Sequence, residues 1–92
     1  MSRLDELLAE SRARRERVAV ATVLDGARAG ERLLVWSAGH TYGDLGWPRL
    51  NQRVALYAEQ LFERGVTAPS KKRFDVPGAP KLEIAIEIVD VA

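Results

Sequence analysis

The segment over residues 35–51 most narrows the folds that this chain can adopt. It reads as the end of one strand, a glycine turn, a short strand over residues 41–45 and a Gly-x-x-Gly bend from Gly43 to Gly46. Pro48 follows the bend, and proline is favoured at the first position of a helix because the amide hydrogen that it lacks has no helical partner there. A hairpin that leads directly into a helix predicts a small α+β domain.

Two helices are expected on either side of this hairpin. Ser2 can cap the first helix, and Asp5, three residues later, completes a capping box. The second helix begins at Pro48 and stops at Gly65, because glycine is favoured just past a helix C-terminus. The apolar stripe of the first helix consists of Leu4, Leu7 and Leu8, and that of the second of Leu50, Val54, Tyr57, Leu61 and Phe62.

The remaining strands follow from apolar patterning. Residues 18–24 are almost continuously apolar, which is typical of a central strand buried on both faces. Strands are also predicted over residues 32–37 and 71–76. In the last stretch, residues 81–91, leucine and isoleucine alternate with other residues at the period of two expected for a sheet with one exposed face.

These elements predict one α+β domain over residues 1–92, in the order helix, three strands, helix, two strands. The sheet has about five strands in a mixed or antiparallel arrangement. We expect its apolar face to pack on the second helix, with the first helix covering part of it. The last strand is long enough to pair with another copy of the chain, so a structural homo-oligomer is one functional alternative.

Composition excludes several classes of site. The chain has no cysteine, so disulfides, thiolate metal sites and thiol nucleophiles are excluded, and its single histidine cannot build a multi-histidine metal site. Fourteen Lys and Arg balance thirteen Asp and Glu, which argues against a dedicated nucleic-acid binder. The charged N-terminus lacks the apolar region of a signal peptide, and the longest apolar run is too short to cross a bilayer. A cytoplasmic location is expected.

The bend before the second helix is the first candidate binding site. Backbone amides behind a glycine bend can hold an anion, and an arginine in the first turn adds positive charge. The alternative is a purely structural turn, because proline removes one amide donor and a tryptophan fills space that a ligand would need. The residues predicted to form this anion-binding surface are Gly43, Gly46, Trp47 and Arg49, with His40 beside them.

Other residues allow competing interpretations. His40 and Asp44 are the candidate acid–base pair of a small enzyme, although no catalytic residue is assigned. Trp36 and Trp47 either stack on a flat heterocycle or pack in the core. The basic cluster at residues 12–17 is either a solvated helix end or a phosphate-binding patch. The basic cluster at residues 71–73 is either a solvated strand entry or a contact with an acidic partner surface.

The same segments carry a family resemblance. Four features carry it: Val-Ala-Thr-Val in the first strand, the strand–turn–strand leading into Gly-x-x-Gly, the helix ending in glycine and the Leu-Glu-Ile-Ala-Ile-Glu strand. Together they resemble the N-terminal domain of the xanthine dehydrogenase accessory factor family, the XdhC/CoxI proteins. The resemblance covers nearly the whole chain. We expect no counterpart of the family's nucleotide-binding C-terminal domain in these 92 residues.

The chain also departs from the family pattern. Where the family reads Gly-x-x-Gly-Gly-Gly-Cys-Leu-Glu, this chain has Trp47 and Pro48 in place of two glycines and Arg49 in place of the functional cysteine. A second family motif, Cys-Gly-Gly, is replaced by residues 78–80, Gly-Ala-Pro. The resemblance implies a non-catalytic accessory domain that binds a partner protein, such as a molybdenum hydroxylase, or an anionic cofactor related to the molybdenum cofactor.

Overall fold

A computed structural model describes residues 3–66 and 68–89. The chain forms two helices and a five-stranded sheet in the predicted order. All four strand pairs are antiparallel, and the strands lie in the order β3-β2-β1-β5-β4. The elements are α1 (Arg3–Ala13), β1 (Val18–Val23), β2 (Arg32–Trp36), β3 (Thr41–Gly43), α2 (Pro48–Glu63), β4 (Ser70–Phe74) and β5 (Leu82–Val89).

β1 is the central strand, as its apolar run predicted. Ala21 lies opposite Leu33 of β2 and Ile86 of β5, so β1 is hydrogen-bonded along both edges. Both of its faces carry buried side chains, because Val18 and Ala19 point to opposite sides and are each fully buried. A strand in this position has almost no polar alternation, which explains why its sequence is nearly all apolar.

α2 covers one face of the sheet. Its buried side chains Leu50, Val54 and Leu61 pack into the main core together with residues from β1, β2, β4 and β5. The helix ends as predicted at Gly65, whose amide donates to the Phe62 carbonyl at 3.1 Å while the next amide, of Val66, donates to Leu61 at 3.0 Å. This pair of hydrogen bonds is the Schellman arrangement of a glycine-terminated helix.

α1 lies on the opposite face of the sheet, so the expectation that both helices cover the same apolar face is wrong. Its leucine stripe packs on Val18, Leu34 and Trp36, a second core separate from that under α2. The Trp36 indole Nε1–H donates to Ser11 Oγ at 2.7 Å, and Ser11 Oγ donates to the Leu7 carbonyl at 2.9 Å. β2 is buried on both faces, and this requires a second covering element. The predicted cap Ser2 lies outside the described residues.

Several predicted strand bounds shift. β3 ends at Gly43 instead of residue 45, and β4 covers residues 70–74 instead of 71–76. β5 pairs with β1 from Ile84 to Val89 on one edge and with β4 from Leu82 to Ile86 on the other, so assembly through the last strand stays a prediction. The predicted end of this strand, residues 90 and 91, lies outside the described part. Across residues 3–66 and 68–89, neither helix is long and apolar enough to cross a membrane.

Candidate functional site

Asp44 and Asn51 hold the bend between β3 and α2 in place. One Asp44 carboxylate oxygen, Oδ1, accepts hydrogen bonds from the Gly46 amide and from Asn51 Nδ2, each at 2.8 Å. Asn51 Oδ1 in turn accepts a hydrogen bond from the Leu45 amide at 2.8 Å. The Leu45 side chain is fully buried in the main core. This Asp44–Asn51 clamp therefore ties the bend to the first turns of α2.

The clamp keeps Asp44 ionised. Its pKa is lowered first by the hydrogen bond from Asn51, then by the hydrogen bond from the Gly46 amide, and further by the positive charge of Arg28. A carboxylate just before α2 also interacts favourably with the positive end of the helix dipole. The bend thus already contains one anion, supplied by the protein.

Two glycines make the bend possible. Gly43 has φ +108°, and a Cβ there would lie 2.5 Å from the backbone oxygen of Arg32, so a side chain is excluded by both conformation and space. Gly46 has φ +110°, and a Cβ there would meet the Arg28 side chain. The Arg28 guanidinium lies 5.9 Å from the centre of the Trp47 ring. Arg28 therefore covers the bend from the loop that joins β1 and β2.

These contacts reduce the number of groups with which the bend can bind a ligand. The Leu45 and Gly46 amides already donate within the protein, and Pro48 has no amide hydrogen. Most of the backbone amides that the sequence predicted to be free for an anion are therefore already hydrogen-bonded within the protein or absent. The positive charges at the bend are those of Arg28, which lies over Trp47, and of Arg49, which is exposed in the first turn of α2.

A surface depression lies next to Arg49. Trp47, Pro48 and Arg49 line one side and Pro77 and Gly78 the other, around a volume of about 490 Å³. A second depression, of about 570 Å³, shares Arg49 and Pro77 and continues along α2. The two segments in which the resemblance locates the family's cysteine motifs, far apart in the chain, thus meet at one surface.

His40 is the predicted site residue that lies elsewhere. Its ring stacks on Trp36 with centroids 4.4 Å apart and planes at 17°, and it lines a hollow on the α1 side together with Ser11 and Tyr42. Asp44 instead bonds to the bend and α2 on the other side of the sheet. In the described part of the chain no hydrogen bond or ion pair joins His40 to Asp44, so the geometry gives no support to an acid–base pair.

The two tryptophans lie in different environments, so one fits core packing and the other fits contact with a ligand. Trp36 is only 5% exposed, belongs to the core under α1 and already stacks with His40, which favours the packing interpretation. Trp47 is partly buried against the main core and lines the depression.

Two contributors to this site, Asn51 and Arg28, were not identified from the sequence. The pattern of an aspartate two residues before a glycine is typical of an Asx turn and indicates part of the clamp. Asn51 completes it from the start of α2, seven residues after Asp44. Arg28 arrives from the loop between β1 and β2, and no pattern of the sequence indicates its approach to the bend.

The fold and this surface define an antiparallel α+β domain in which a glycine bend leads into the main helix beside the β4–β5 connection. The model of the XdhC and CoxI family matches residues 11–75, and the chain belongs to this family. The match includes the whole bend and Arg49 and stops before Gly78. Family membership gives the chain the context of an accessory factor for xanthine dehydrogenase. No curated protein matches the chain.

Proposed function

We propose that this chain is a non-catalytic accessory domain in the maturation of molybdenum-cofactor enzymes, and that the depression beside Arg49 binds an anionic group of the cofactor or of a partner enzyme. The observation that carries the proposal is the meeting of the two motif-bearing segments around an exposed arginine. Arg49 has no ion-pair partner among residues 3–66 and 68–89, so its charge is available to a ligand.

The chemistry of the lining residues suits a phosphorylated heterocycle. The planar guanidinium of Arg49 can donate two parallel hydrogen bonds to a phosphate or carboxylate. Trp47 is half-buried, with the Arg28 guanidinium 5.9 Å from the centre of its ring, and the part of the indole that lines the depression can stack on a flat ring such as a pterin. Asp44 limits the position of the anion, because its carboxylate repels a second negative charge placed deep in the bend. The ligand anion therefore belongs on the Pro77–Gly78 side of Arg49.

The absence of a thiol limits which steps of cofactor handling this domain can perform. The chain has no cysteine, so no thiolate can ligate molybdenum or pass sulfur to it. Arg49 stands where the resemblance locates the family's functional cysteine. Replacing a thiol by a guanidinium exchanges a metal or sulfur ligand for a binder of oxyanions. We therefore assign the domain a holding or docking role.

Ligand-induced thermal stabilisation tests the proposal. The probes are inorganic pyrophosphate, GMP and molybdenum cofactor released from a molybdenum enzyme. A probe present at one hundred times its dissociation constant adds about 2.7 kcal/mol to the stability of the domain. For a domain of this size, that corresponds to a rise in Tm of roughly 10–20 °C.

Arg49→Ala is expected to remove most of this rise. Arg12→Ala is the matched control, because it deletes an exposed arginine of α1, on the other side of the sheet, and should keep the full rise. The proposal is wrong if none of the three probes raises the Tm of the wild-type chain, or if Arg49→Ala responds as the wild type does.

A further inference from the structure

A groove runs along the exposed side of α2, beyond the depression used above. Arg53 and Leu56 line both the depression that contains Arg49 and the next one, of about 230 Å³, which reaches Gln60 and Lys72. The two depressions therefore form one continuous feature, called here the α2 groove. Its length from Arg49 to Gln60, eleven residues of helix, is roughly 16 Å.

The charge of the α2 groove is largely unbalanced. Arg49, Arg53 and Lys72 have no carboxylate within ion-pair distance in the described residues, whereas Arg73, which also lines the groove, pairs with Asp25 at 3.5 Å. Asp75 is the acidic residue among those that line the groove. An occupant with several negative charges would find three available cations there.

The arginines of α2 are placed unfavourably for the isolated helix. The first turn of α2 contains no acidic residue, and Arg49 lies at the positive end of the helix dipole. Arg53 follows four residues later on the same side, where two like charges repel. Both unfavourable interactions are relieved when an anionic segment lies across the two guanidinium groups.

The middle of the groove is apolar and preorganised. Leu56 is 51% exposed, more than any other large apolar side chain of the described residues. Next to it, Tyr57 and Phe74 pack edge to face with centroids 5.7 Å apart. The Lys72 ammonium lies 4.5 Å from the centre of the Tyr57 ring, which holds this long side chain over the groove.

We propose that the α2 groove docks an acidic peptide segment of a partner protein, with one of its apolar side chains on Leu56 and its carboxylates on Arg53, Lys72 and Arg49. An extended peptide of about five residues matches the length of the groove. An apolar centre between cations favours a peptide over a nucleic-acid backbone, which needs a continuous line of phosphate contacts. This inference goes beyond the proposed function, because it names the chemistry of a protein partner and depends on Arg53 and Leu56.

Peptide display provides an unbiased probe. Random dodecapeptides are selected on the intact chain at low salt, and the enriched peptides are synthesised with a fluorescent label for anisotropy. We expect enrichment of peptides with a net negative charge and at least one large apolar side chain. Raising the salt from about 20 to 200 mM should weaken their binding several-fold, because exposed charges are screened.

The variants locate the binding surface. Arg53→Glu combined with Leu56→Ala changes two exposed positions of α2 and should weaken peptide binding roughly tenfold or more. Arg12→Glu reverses an exposed charge on α1 and should change binding less than about twofold. Circular dichroism and Tm verify that both variants are folded.

Three results would overturn the inference: selection that enriches no acidic peptides, a double variant that binds them as the wild type does, and a twelve-nucleotide RNA that binds more tightly than the best peptide. Failure here is distinguishable from failure of the proposed function. The double variant leaves Trp47, Arg49, Pro77 and Gly78 intact, so the thermal response to cofactor probes should persist in it.

Discussion

Replacing Asn51 by alanine should destabilise the domain more than its place near the surface suggests. The substitution removes the acceptor of the Leu45 amide, and a partly buried amide without a partner costs about 1–3 kcal/mol. It also removes the donor to Asp44. The higher helix propensity of alanine offsets roughly 0.5 kcal/mol of this loss in the free energy of unfolding. We expect a net loss of about 1–2.5 kcal/mol.

Urea denaturation and differential scanning calorimetry measure this loss. For a chain of this length the expected fall in Tm is roughly 4–20 °C. Gln52→Ala, at the exposed neighbouring position, is the control and should stay within about 0.5 kcal/mol of the wild type.

Asn51→Asp separates the two bonds of the clamp. Aspartate still accepts from the Leu45 amide but loses the donation to Asp44 and adds a like charge beside it. Its defect should therefore shrink as the pH is lowered and one of the two carboxylates becomes protonated. An Asn51→Ala variant as stable as the wild type would refute the role assigned to the clamp.

Two further predictions concern the same bend. Gly43→Ala should lower the free energy of unfolding by about 2–3 kcal/mol in urea denaturation, because φ is +108° and the new Cβ would lie 2.5 Å from the Arg32 backbone oxygen. A loss below about 0.5 kcal/mol would contradict this geometry. The pKa of Asp44 is lowered by folding, so its ionised form stabilises the domain above the ordinary aspartate pKa of about 3.9, and this contribution disappears as the pH falls through the folded value. The stability gap between the wild type and Asp44→Asn, followed by urea denaturation, should thus be constant near neutral pH and close in acid; a gap that widens in acid would contradict the assignment.

Patterns repeated along the chain predicted most of the fold. The continuous apolar run at residues 18–24 indicated the central strand, and Pro48 and Gly65 marked the start and stop of α2. These features succeed because each is a local consequence of burial or backbone conformation. The presence of two helices and about five strands followed from the same patterns, whereas the sequence left the sheet as mixed or antiparallel and did not predict the spatial order of its strands.

The side of the sheet on which α1 packs was not predictable in this way. α1 has one stripe of leucines, and either face of the sheet could bury it. What decides the matter is β2, in which Leu34 and Trp36 require a cover on the face that α2 leaves open. Such a choice depends on contacts between distant segments and leaves no periodic signal in either one.

The candidate site was predicted in part. The sequence brought together Gly43, Gly46, Trp47 and Arg49 because they are neighbours in the chain, and the structure keeps them at one bend. It also assigned His40 to this group by proximity in sequence, but the hairpin carries His40 to the α1 side, where it stacks on a core tryptophan. Chain proximity fails here because β3 lies between His40 and the bend, so the two lie at opposite ends of this strand.

The departures from the family pattern have one physical theme. Where the pattern of the resemblance has two glycines and a cysteine, this chain has a tryptophan, a proline and an arginine at the start of α2. These replacements close the inside of the bend and move the available charge to its outer surface beside Gly78. A ligand of this domain is therefore expected to bind across the surface between the bend and the β4–β5 connection.

An NMR titration of the isotope-labelled chain with molybdenum cofactor released from a molybdenum enzyme tests this most directly. The account predicts that the amide signals of Trp47, Arg49 and Gly78 shift together with one dissociation constant, and that signals around His40 stay in place. Shifts confined to the hollow beside His40, or spread evenly over the exposed arginines, would contradict it.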